Sequence, residues 1–209
     1  MKSFSKWTIA EVEKEFGLRR VLKSSLLDEW LTIQCQPTDF ERQLLYALQA
    51  KLEKRIYAWN EDELKVNFIA PLLSLVDFES EKYHVFSERR LTAPYNDEEL
   101  WGDVDFLISQ GVYTPERPFF FIHEYKREDE SSSSSPLGQL MVTMVAAQIL
   151  NQDDLPLYGV YIRGRHWHFA ILQGKEYVIN SGFNALTDNI FNILAILKNT
   201  RMIIDKAAS

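Results

Sequence analysis

Residues 119–126 read FFFIHEYK, an apolar run that ends in a glutamate, a tyrosine and a lysine. Such a run is typical of a buried strand, and side chains two positions apart on a strand share a face. One predicted face carries Phe120, Ile122, Glu124 and Lys126, and the other carries Phe119, Phe121, His123 and Tyr125. We therefore expect a carboxylate and an ammonium group to emerge together at the end of this strand.

The sequence on either side of this strand predicts the rest of a sheet and its covering helices. Further strands are expected at residues 83–92, 100–109, 156–163, 166–172 and 175–180. Helices are expected at residues 60–78, with a bend at Pro71, at 136–151 and at 188–204. The segment 136–151 is apolar around most of its circumference, which is typical of a helix that covers a sheet. This order predicts an α/β fold with a central mixed sheet flanked by helices.

The chain is predicted to divide near residue 58. Residues 1–58 are interpreted as an amino-terminal helical appendage, and residues 59–209 as the α/β core. Within that core, residues 128–135 contain only acidic residues and serines, so we expect a polar surface loop there.

Composition limits the classes of function that this 209-residue chain can have. With 46% hydrophobic and 25% charged residues, it matches a folded globular protein and excludes extensive disorder. No stretch approaches the roughly 20 apolar residues of a membrane-spanning helix, so we expect a cytoplasmic protein with no membrane partner. The single cysteine, Cys35, excludes disulfide scaffolds and multi-cysteine zinc sites. A formal net charge of −7 requires any nucleic-acid binding to be local.

A second acid stands at the start of another predicted strand. In residues 101–109, WGDVDFLIS, Asp105 is expected to share a face with Leu107. A pair of carboxylates can hold a hard divalent cation, and a lysine beside them can orient or deprotonate water. These groups suit phosphodiester hydrolysis, although Glu-x-Lys on a strand also fits an ordinary ion pair at a sheet rim.

Four motifs in this order carry a family resemblance. They are Glu61-Asp62-Glu63 on a helix, Gly102-Asp103-Val104-Asp105 opening a strand, Glu124-Tyr125-Lys126 ending the next strand, and Gln139 opening the following helix. Together they resemble the PD-(D/E)xK, or restriction-endonuclease-like, nuclease superfamily. More narrowly, residues 60–172 look like the nuclease core at the amino end of type I restriction-enzyme motor subunits.

The resemblance assigns roles to individual residues. It implies that Asp105 and Glu124 are metal ligands, that the backbone carbonyl of Tyr125 is a further ligand, and that Lys126 is the catalytic lysine. Gln139 matches a helix glutamine that tends to lie near the active site and the nucleic acid. The sequence departs from the family pattern in having Val104, rather than proline, before the first ligand.

Two acidic positions allow alternatives. On the first core helix, Glu61 shares a face with Leu64 and Phe68, so we favour Glu61 over Glu63 as the helix acid of the site. Asp103 competes with Asp105 as a ligand, and we interpret Asp103 as a turn acid after Gly102.

Basic and histidine residues elsewhere suggest weaker candidates. Arg163 and Arg165 lie in the acid-free run RGRHWH, and both could contact phosphates. The pair Arg89 and Arg90 allows the same interpretation. Three histidines are interpreted as structural, with His166 and His168 exposed on a strand and His123 in the core.

These observations predict a nuclease that depends on Mg²⁺ or Mn²⁺ and hydrolyses phosphodiester bonds, with DNA as the expected substrate. The expected setting is restriction, repair or mobile elements, with a homodimer or an accessory subunit to contact enough duplex. The alternative is a non-catalytic binding or assembly module with the same fold, which the negative net charge favours.

Overall fold

The computed structural model describes residues 2–129 and 135–208. It contains a central mixed sheet. Over these residues its strands are β1 (Arg19–Arg20), β2 (His84–Tyr95), β3 (Glu98–Gln110), β4 (Glu116–Lys126), β5 (Leu157–Arg163), β6 (His166–Gln173), β7 (Glu176–Ile179) and β8 (Phe183–Asn184). Their spatial order is β1-β7-β6-β5-β4-β3-β2, and β8 pairs with β6. The pairs β4–β5 and β1–β7 are parallel and the other pairs are antiparallel. The predicted α/β class with a mixed sheet is confirmed.

Helices cover both faces of the sheet. They are α1 (Ile9–Phe16), α2 (Ser25–Leu31), α3 (Asp39–Arg55), α4 (Glu61–Leu64), α5 (Ala70–Leu73), α6 (Pro136–Asn151) and α7 (Asn189–Ala207). One hydrophobic cluster lies between the sheet and α2, α3, α4, α5 and α7, and a second lies between the sheet and α1 and α6. Within the described residues, no helix combines the length and apolar character needed to cross a membrane.

Helix α6 is the crossover between the parallel strands β4 and β5. The Ser135 hydroxyl caps it by accepting a hydrogen bond from the Gly138 N–H, and Pro136 occupies its first turn, where a missing N–H costs nothing. A Cβ atom at Gly138 would lie 2.3 Å from the carbonyl oxygen of Trp7, so only glycine lets the amino-terminal segment pass this close. The helix is thereby buried on both sides, as its apolar circumference predicts.

Residues 2–58 contribute to both hydrophobic clusters. Phe4, Trp7 and Val12 belong to the second cluster, whereas Trp30 and Leu45 belong to the first. Strand β1, for which the sequence carries no strand signal, extends the sheet by pairing with β7. The segment predicted to be an appendage therefore shares both hydrophobic clusters and the sheet with the rest of the chain.

The helix predicted at residues 60–78 is interrupted, although a simple bend at Pro71 was expected. Between α4 and α5, residues Lys65–Ile69 form a π-helical segment, called the π segment below. Pro71 has no N–H to donate, and its ring crowds the carbonyl of Asn67 four residues earlier. The wider π turn accommodates this constraint, and Lys65 is its first residue.

The predicted alternation of strand β4 is right near its end and wrong near its start. Phe121 and Tyr125 contribute to the first cluster and Ile122 to the second, as alternation requires. Phe119 and Phe120 have exchanged faces relative to the prediction, because the pairing of β3 with β4 shifts between Ile108 and Ser109. A sequence pattern carries no signal for such a bulge.

The polar run at residues 128–135 is only partly described. Its central residues, 130–134, lie outside the described residues. At one end, the Glu128 carboxylate accepts hydrogen bonds from the backbone N–H and the guanidinium of Arg165, with a side chain only 10% exposed. At the other end, Ser135 caps α6. Both described ends are therefore bound to the core.

Replacing Trp30 tests whether the amino-terminal segment is part of one cooperative core. Trp30 is 1% exposed, packs edge-on against three aromatic rings and donates a hydrogen bond from Nε1 to Thr200 Oγ1. We expect Trp30→Ala to lower the free energy of unfolding by about 3–5 kcal/mol. In thermal unfolding this lowers the melting temperature by roughly 2–4 °C for each kcal/mol.

The matched control is Leu22→Ala, because Leu22 is 86% exposed in the same segment. This substitution should change stability by less than about 0.5 kcal/mol. A melting temperature for Trp30→Ala that matches the control would contradict a shared core.

Candidate functional site

Strands β3 and β4 separate at the point where the predicted acids lie. Their backbone pairing ends at Phe106 and His123. Beyond that pair, Asp105 Oδ2 accepts a hydrogen bond from the Tyr125 N–H at 2.7 Å, so a side chain takes the place of the next strand partner. The backbone donor stays satisfied, and the sheet opens beside Asp105.

In β2 and β3, the alternation of side chains between the two faces of the sheet is interrupted near Asp105. On β2, the residues facing the second cluster are Phe86 and then Leu91, which are an odd number of positions apart. On β3, Val104 and Leu107 face that cluster, again an odd number of positions apart. Glu88, which adopts a left-handed backbone conformation with φ of 51°, lies opposite Asp105 between these positions. The expectation that Asp105 shares a face with Leu107 assumed regular alternation along β3. The irregularity between Val104 and Leu107 removes the basis for that expectation.

The end of β4 brings the acid and the lysine together. Lys126 Nζ lies 3.1 Å from Glu124 Oε1 and 3.5 Å from Oε2 of Glu61 at the start of α4. The Glu124 side chain is 2% exposed and that of Lys126 is 11% exposed. The other Glu124 oxygen, Oε2, is buried without a hydrogen-bond partner in the described chain. This part of the structure therefore contains one buried ion pair and one unpaired carboxylate oxygen.

A second lysine, which the sequence analysis missed, occupies the centre of the site. Lys65 Nζ lies 2.6 Å from Glu88 Oε1, 2.7 Å from Asp105 Oδ1 and 3.4 Å from Glu61 Oε1. Its ammonium group also lies 5.7 Å from the centroid of the Tyr125 ring. We call the four acids Glu61, Glu88, Asp105 and Glu124 the carboxylate cluster. The position of Lys65 four residues after Glu61, on the same helix face, was the available sequence signal.

Burial and neighbouring charge raise the pKa values of two acids of the site, Glu124 and Glu61. The pKa of Glu124 is raised well above its usual range, chiefly by burial and then by the charge of Asp105, whereas the charge of Lys126 opposes the shift. The pKa of Glu61 is also raised, again mainly by burial. The charge of Asp105 therefore acts on the buried carboxyl of Glu124.

The pKa values of the two lysines are also raised, because the surrounding acids attract the charged ammonium groups. Burial alone would lower the pKa of Lys126, but the charges of Glu124, Glu61 and Asp105 raise it overall. The same balance raises the pKa of Lys65, with hydrogen bonds to Asp105 and Glu88 as the largest opposing causes. Both lysines are consequently ammonium groups at neutral pH.

Of the two helix acids considered from the sequence, the structure brings Glu61 to the site. Glu63 instead completes a capping box with Asn60, in which each residue's side chain accepts a hydrogen bond from the other's backbone N–H. Gln139 lies in the first turn of α6, buried, and its Oε1 has no hydrogen-bond partner among the described residues.

Two of the four arginines proposed to contact phosphates form ion pairs with acids of the chain. Arg165 binds Glu128 and the hydroxyl of Tyr57. Arg90 forms an ion pair with Asp103, with N–O distances of 2.9 Å and 3.3 Å. Asp103 lies within β3, whereas the sequence was interpreted as a turn there. Arg89 is exposed, and Arg163 is half-buried with its backbone opposite that of Lys126.

The three histidines considered from the sequence contact aromatic groups. His123 is fully buried among aromatic rings, its Nδ1 lies 3.0 Å from the Tyr125 hydroxyl, and burial lowers its pKa well below the usual value. His166 is exposed, as expected, but His168 is half-buried and stacks on Tyr161.

The donor chemistry of the site partly fits a divalent cation. Carboxylate oxygens are the ligands that Mg²⁺ prefers, and Glu124 Oε2 is a buried oxygen without a partner. Within the described residues, however, no group of three or more histidine, cysteine, aspartate or glutamate side chains is arranged to hold a metal ion. Asp105 and Glu124 thus supply two ligands, and water, substrate or the Tyr125 carbonyl would have to complete the coordination sphere.

A cavity of about 760 Å³ borders the site. The π segment, α5, β2 and β3 form its mainly apolar wall, with Ile69, Leu73 and Phe106 among the lining residues. Lys65, Asp105 and the Tyr125 ring also line it. Two acids of the carboxylate cluster, Glu88 and Asp105, therefore border an apolar cleft.

Comparisons with known proteins supply no relative. A scan of family models finds no match to this chain, and a search of curated proteins finds none either.

The raised pKa of Glu124 predicts a pH-dependent effect of Glu124→Gln. A buried carboxyl with a raised pKa binds its proton more tightly in the folded protein, so ionisation costs stability as the pH rises through the folded pKa. Glutamine cannot ionise and escapes this loss. We expect Glu124→Gln to raise the melting temperature without divalent metal at about pH 8, and to raise it less at about pH 5.

Glu41→Gln is a control of opposite sign. Burial would raise the pKa of Glu41, but hydrogen bonds from Lys198 and Thr38 lower it overall. Its substitution should therefore destabilise the protein at neutral pH, with an effect that shrinks in acid. The expected burial cost of Glu124 is refuted if both variants are destabilised equally at about pH 8.

Proposed function

We propose that this chain is a divalent-metal-dependent nuclease that hydrolyses phosphodiester bonds, with DNA as its substrate. The observation that carries the proposal is the buried ion pair of Glu124 with Lys126, next to the point where Asp105 binds the Tyr125 N–H and β3 and β4 separate. Burying two neighbouring acids costs free energy, which folding alone does not require. Acids whose pKa values are raised by burial and by a neighbouring charge are typical of active sites.

Each side chain has a distinct task in this proposal. Asp105 and Glu124 would hold a cation, through Glu124 Oε2 and an Asp105 oxygen that retains a lone pair. When bound there, Mg²⁺ or Mn²⁺ supplies charge that polarises the scissile phosphate and lowers the pKa of a coordinated water. Lys126, as an ammonium group, donates a hydrogen bond that orients the attacking water or a phosphate oxygen. Glu61 holds Lys126 from the helix side.

The family resemblance supports the same assignment. The order of motifs matches the PD-(D/E)xK pattern, and the residues it implies include the three that meet at the end of β4, namely Asp105, Glu124 and Lys126. We extend the proposal to a restriction, repair or mobile-element setting, in which a second copy or an accessory subunit provides further DNA contacts. Exposed Arg89 and half-buried Arg163 are the basic residues we assign to phosphate contacts.

The second candidate is a non-catalytic binding module with a nuclease fold. Lys65 favours this alternative, because it already neutralises Asp105 and Glu88 with a cation of the protein itself. The net charge of −7 favours it as well. Under this alternative, the carboxylate cluster and its lysines are an ion-pair network that stabilises one end of the sheet.

Cleavage assays with Lys126→Ala separate the two candidates. Supercoiled, linear and single-stranded DNA are incubated with Mg²⁺ or Mn²⁺, and DNA binding is measured separately in Ca²⁺. We expect the wild type to cut, and Lys126→Ala to cut at least about 100-fold more slowly with nearly unchanged binding. Lys198→Ala is the control, because Lys198 also forms an ion pair, with Glu41, outside the site.

Two results would overturn this assignment. If the wild type cuts none of the three substrates with either metal, the binding module is the better interpretation. If Lys126→Ala loses DNA binding in proportion to cleavage, Lys126 contacts the backbone or supports the structure and does not act in the chemical step.

A further inference from the structure

The apolar cleft beside the site is much larger than the proposed reaction requires. Its volume is about 760 Å³, and buried side chains such as Ile69, Leu73 and Phe106 form its floor. Val66 also lines it and is 70% exposed. A large apolar side chain that is exposed beside an apolar floor is typical of a surface that another molecule covers.

One wall of the cleft is a continuous stripe along a helical segment. The lining residues Asp62, Val66, Ile69, Ala70 and Leu73 follow one another at separations of three or four positions along the stripe. This spacing places side chains on one side of a helix. From Asp62 to Leu73 the wall is roughly 15 Å long, at a rise of about 1.5 Å per residue. The cleft is therefore elongated, and its opposite wall is the sheet, through β2 and β3.

Acids outnumber cations along the cleft. Among the described residues, one lysine, Lys65, and five acids line it. The acids are Asp62, Asp77, Glu79, Glu88 and Asp105. Lys65 contacts the last two, Glu79 pairs with His84, and Asp77 lies 3.5 Å from Arg201. Even with these partners the acids remain in excess, so the cleft repels a phosphate backbone and favours a cationic occupant.

The positions of the acids indicate an extended organic cation. Within the described part of the chain, the acids are not grouped to hold a metal ion. Asp62 lies at one end of the helical wall, whereas Asp77 and Glu79 follow its other end. A small amine reaches only one of these ends. A helix with an apolar stripe between basic residues contacts the floor and both ends at once, as amphipathic helices do in apolar grooves.

We propose that this cleft is the docking site for a basic, amphipathic helix of a partner protein. The apolar stripe of that helix covers Val66, Ala70 and the floor, and its lysine or arginine side chains contact the surrounding acids. Docking goes beyond the proposed nuclease function and requires neither metal nor DNA. Because Asp105 lines the same cleft, the bound partner lies beside a proposed metal ligand.

The probe is a fluorescein-labelled peptide of about 15 residues, made only of leucine and lysine, with leucines at the i, i+3, i+4 and i+7 positions of a helix. Its binding to the full chain is measured by fluorescence anisotropy without metal or DNA. We expect saturable binding of one peptide per chain. A scrambled peptide of the same composition, and a leucine–glutamate peptide, should each bind at least about tenfold more weakly.

Val66→Arg tests whether the peptide occupies the cleft. The substitution removes apolar contact and places a cation against the lysines of the peptide, so we expect at least about tenfold weaker binding. Val112→Arg is the matched control, because Val112 is 69% exposed, does not line the cleft and gives the same change of net charge. Its affinity should stay within about twofold of the wild type. If Val66→Arg does not fold, Ala70→Arg, at another exposed lining residue, gives the same comparison.

Three results would overturn the proposed docking. Equal weakening by Val66→Arg and Val112→Arg would mean that the peptide responds to overall charge and not to the cleft. Equal binding of the leucine–glutamate peptide would refute charge complementarity. Absence of binding at about 100 µM, both for the lysine peptide and for its arginine version, would refute the site. Each of these results leaves the nuclease proposal untouched, since cleavage is measured separately.

Discussion

The hydrogen bond from the Tyr125 N–H to Asp105 Oδ2 is the interaction on which the site depends. It ends the pairing of β3 with β4 without leaving a buried backbone donor unsatisfied. Because the strands part there, the carboxylate of Asp105 and that of Glu124 reach the same space at the edge of the sheet. The opposite face of β4 remains packed in the first cluster through Phe121 and Tyr125, so the opening stays local.

The site concentrates charge where the core would favour apolar groups. Glu124 and Lys126 are both buried. Burying such charged groups costs several kcal/mol unless they are paired. Lys65 and Lys126 offset much of that cost for the carboxylate cluster. One oxygen, Glu124 Oε2, keeps no partner among the described residues, and it is the feature that a purely structural ion-pair network explains least well.

Sequence patterns predicted the central elements of the fold because their signals are local. Helix α6, the strands from β2 to β7 and the closing helix follow from apolar periodicity and turn residues. The short strands β1 and β8 could not be predicted, because two residues carry no periodicity and their pairing is set by neighbours distant in sequence. The packing of residues 2–58 could not be predicted for the same reason, since apolar helix faces do not reveal which surface they cover.

The sequence by itself determined that Glu124 and Lys126 share the end of one strand, because strand alternation is a property of the backbone. It also favoured Glu61 over Glu63 through helix periodicity, in agreement with the observed contacts. Only the tertiary structure decided that Lys65 and Glu88 join these groups, and that Arg90 and Arg165 are bound to acids. Those pairings depend on a π turn, a left-handed residue and packing between distant segments, which local sequence patterns do not encode.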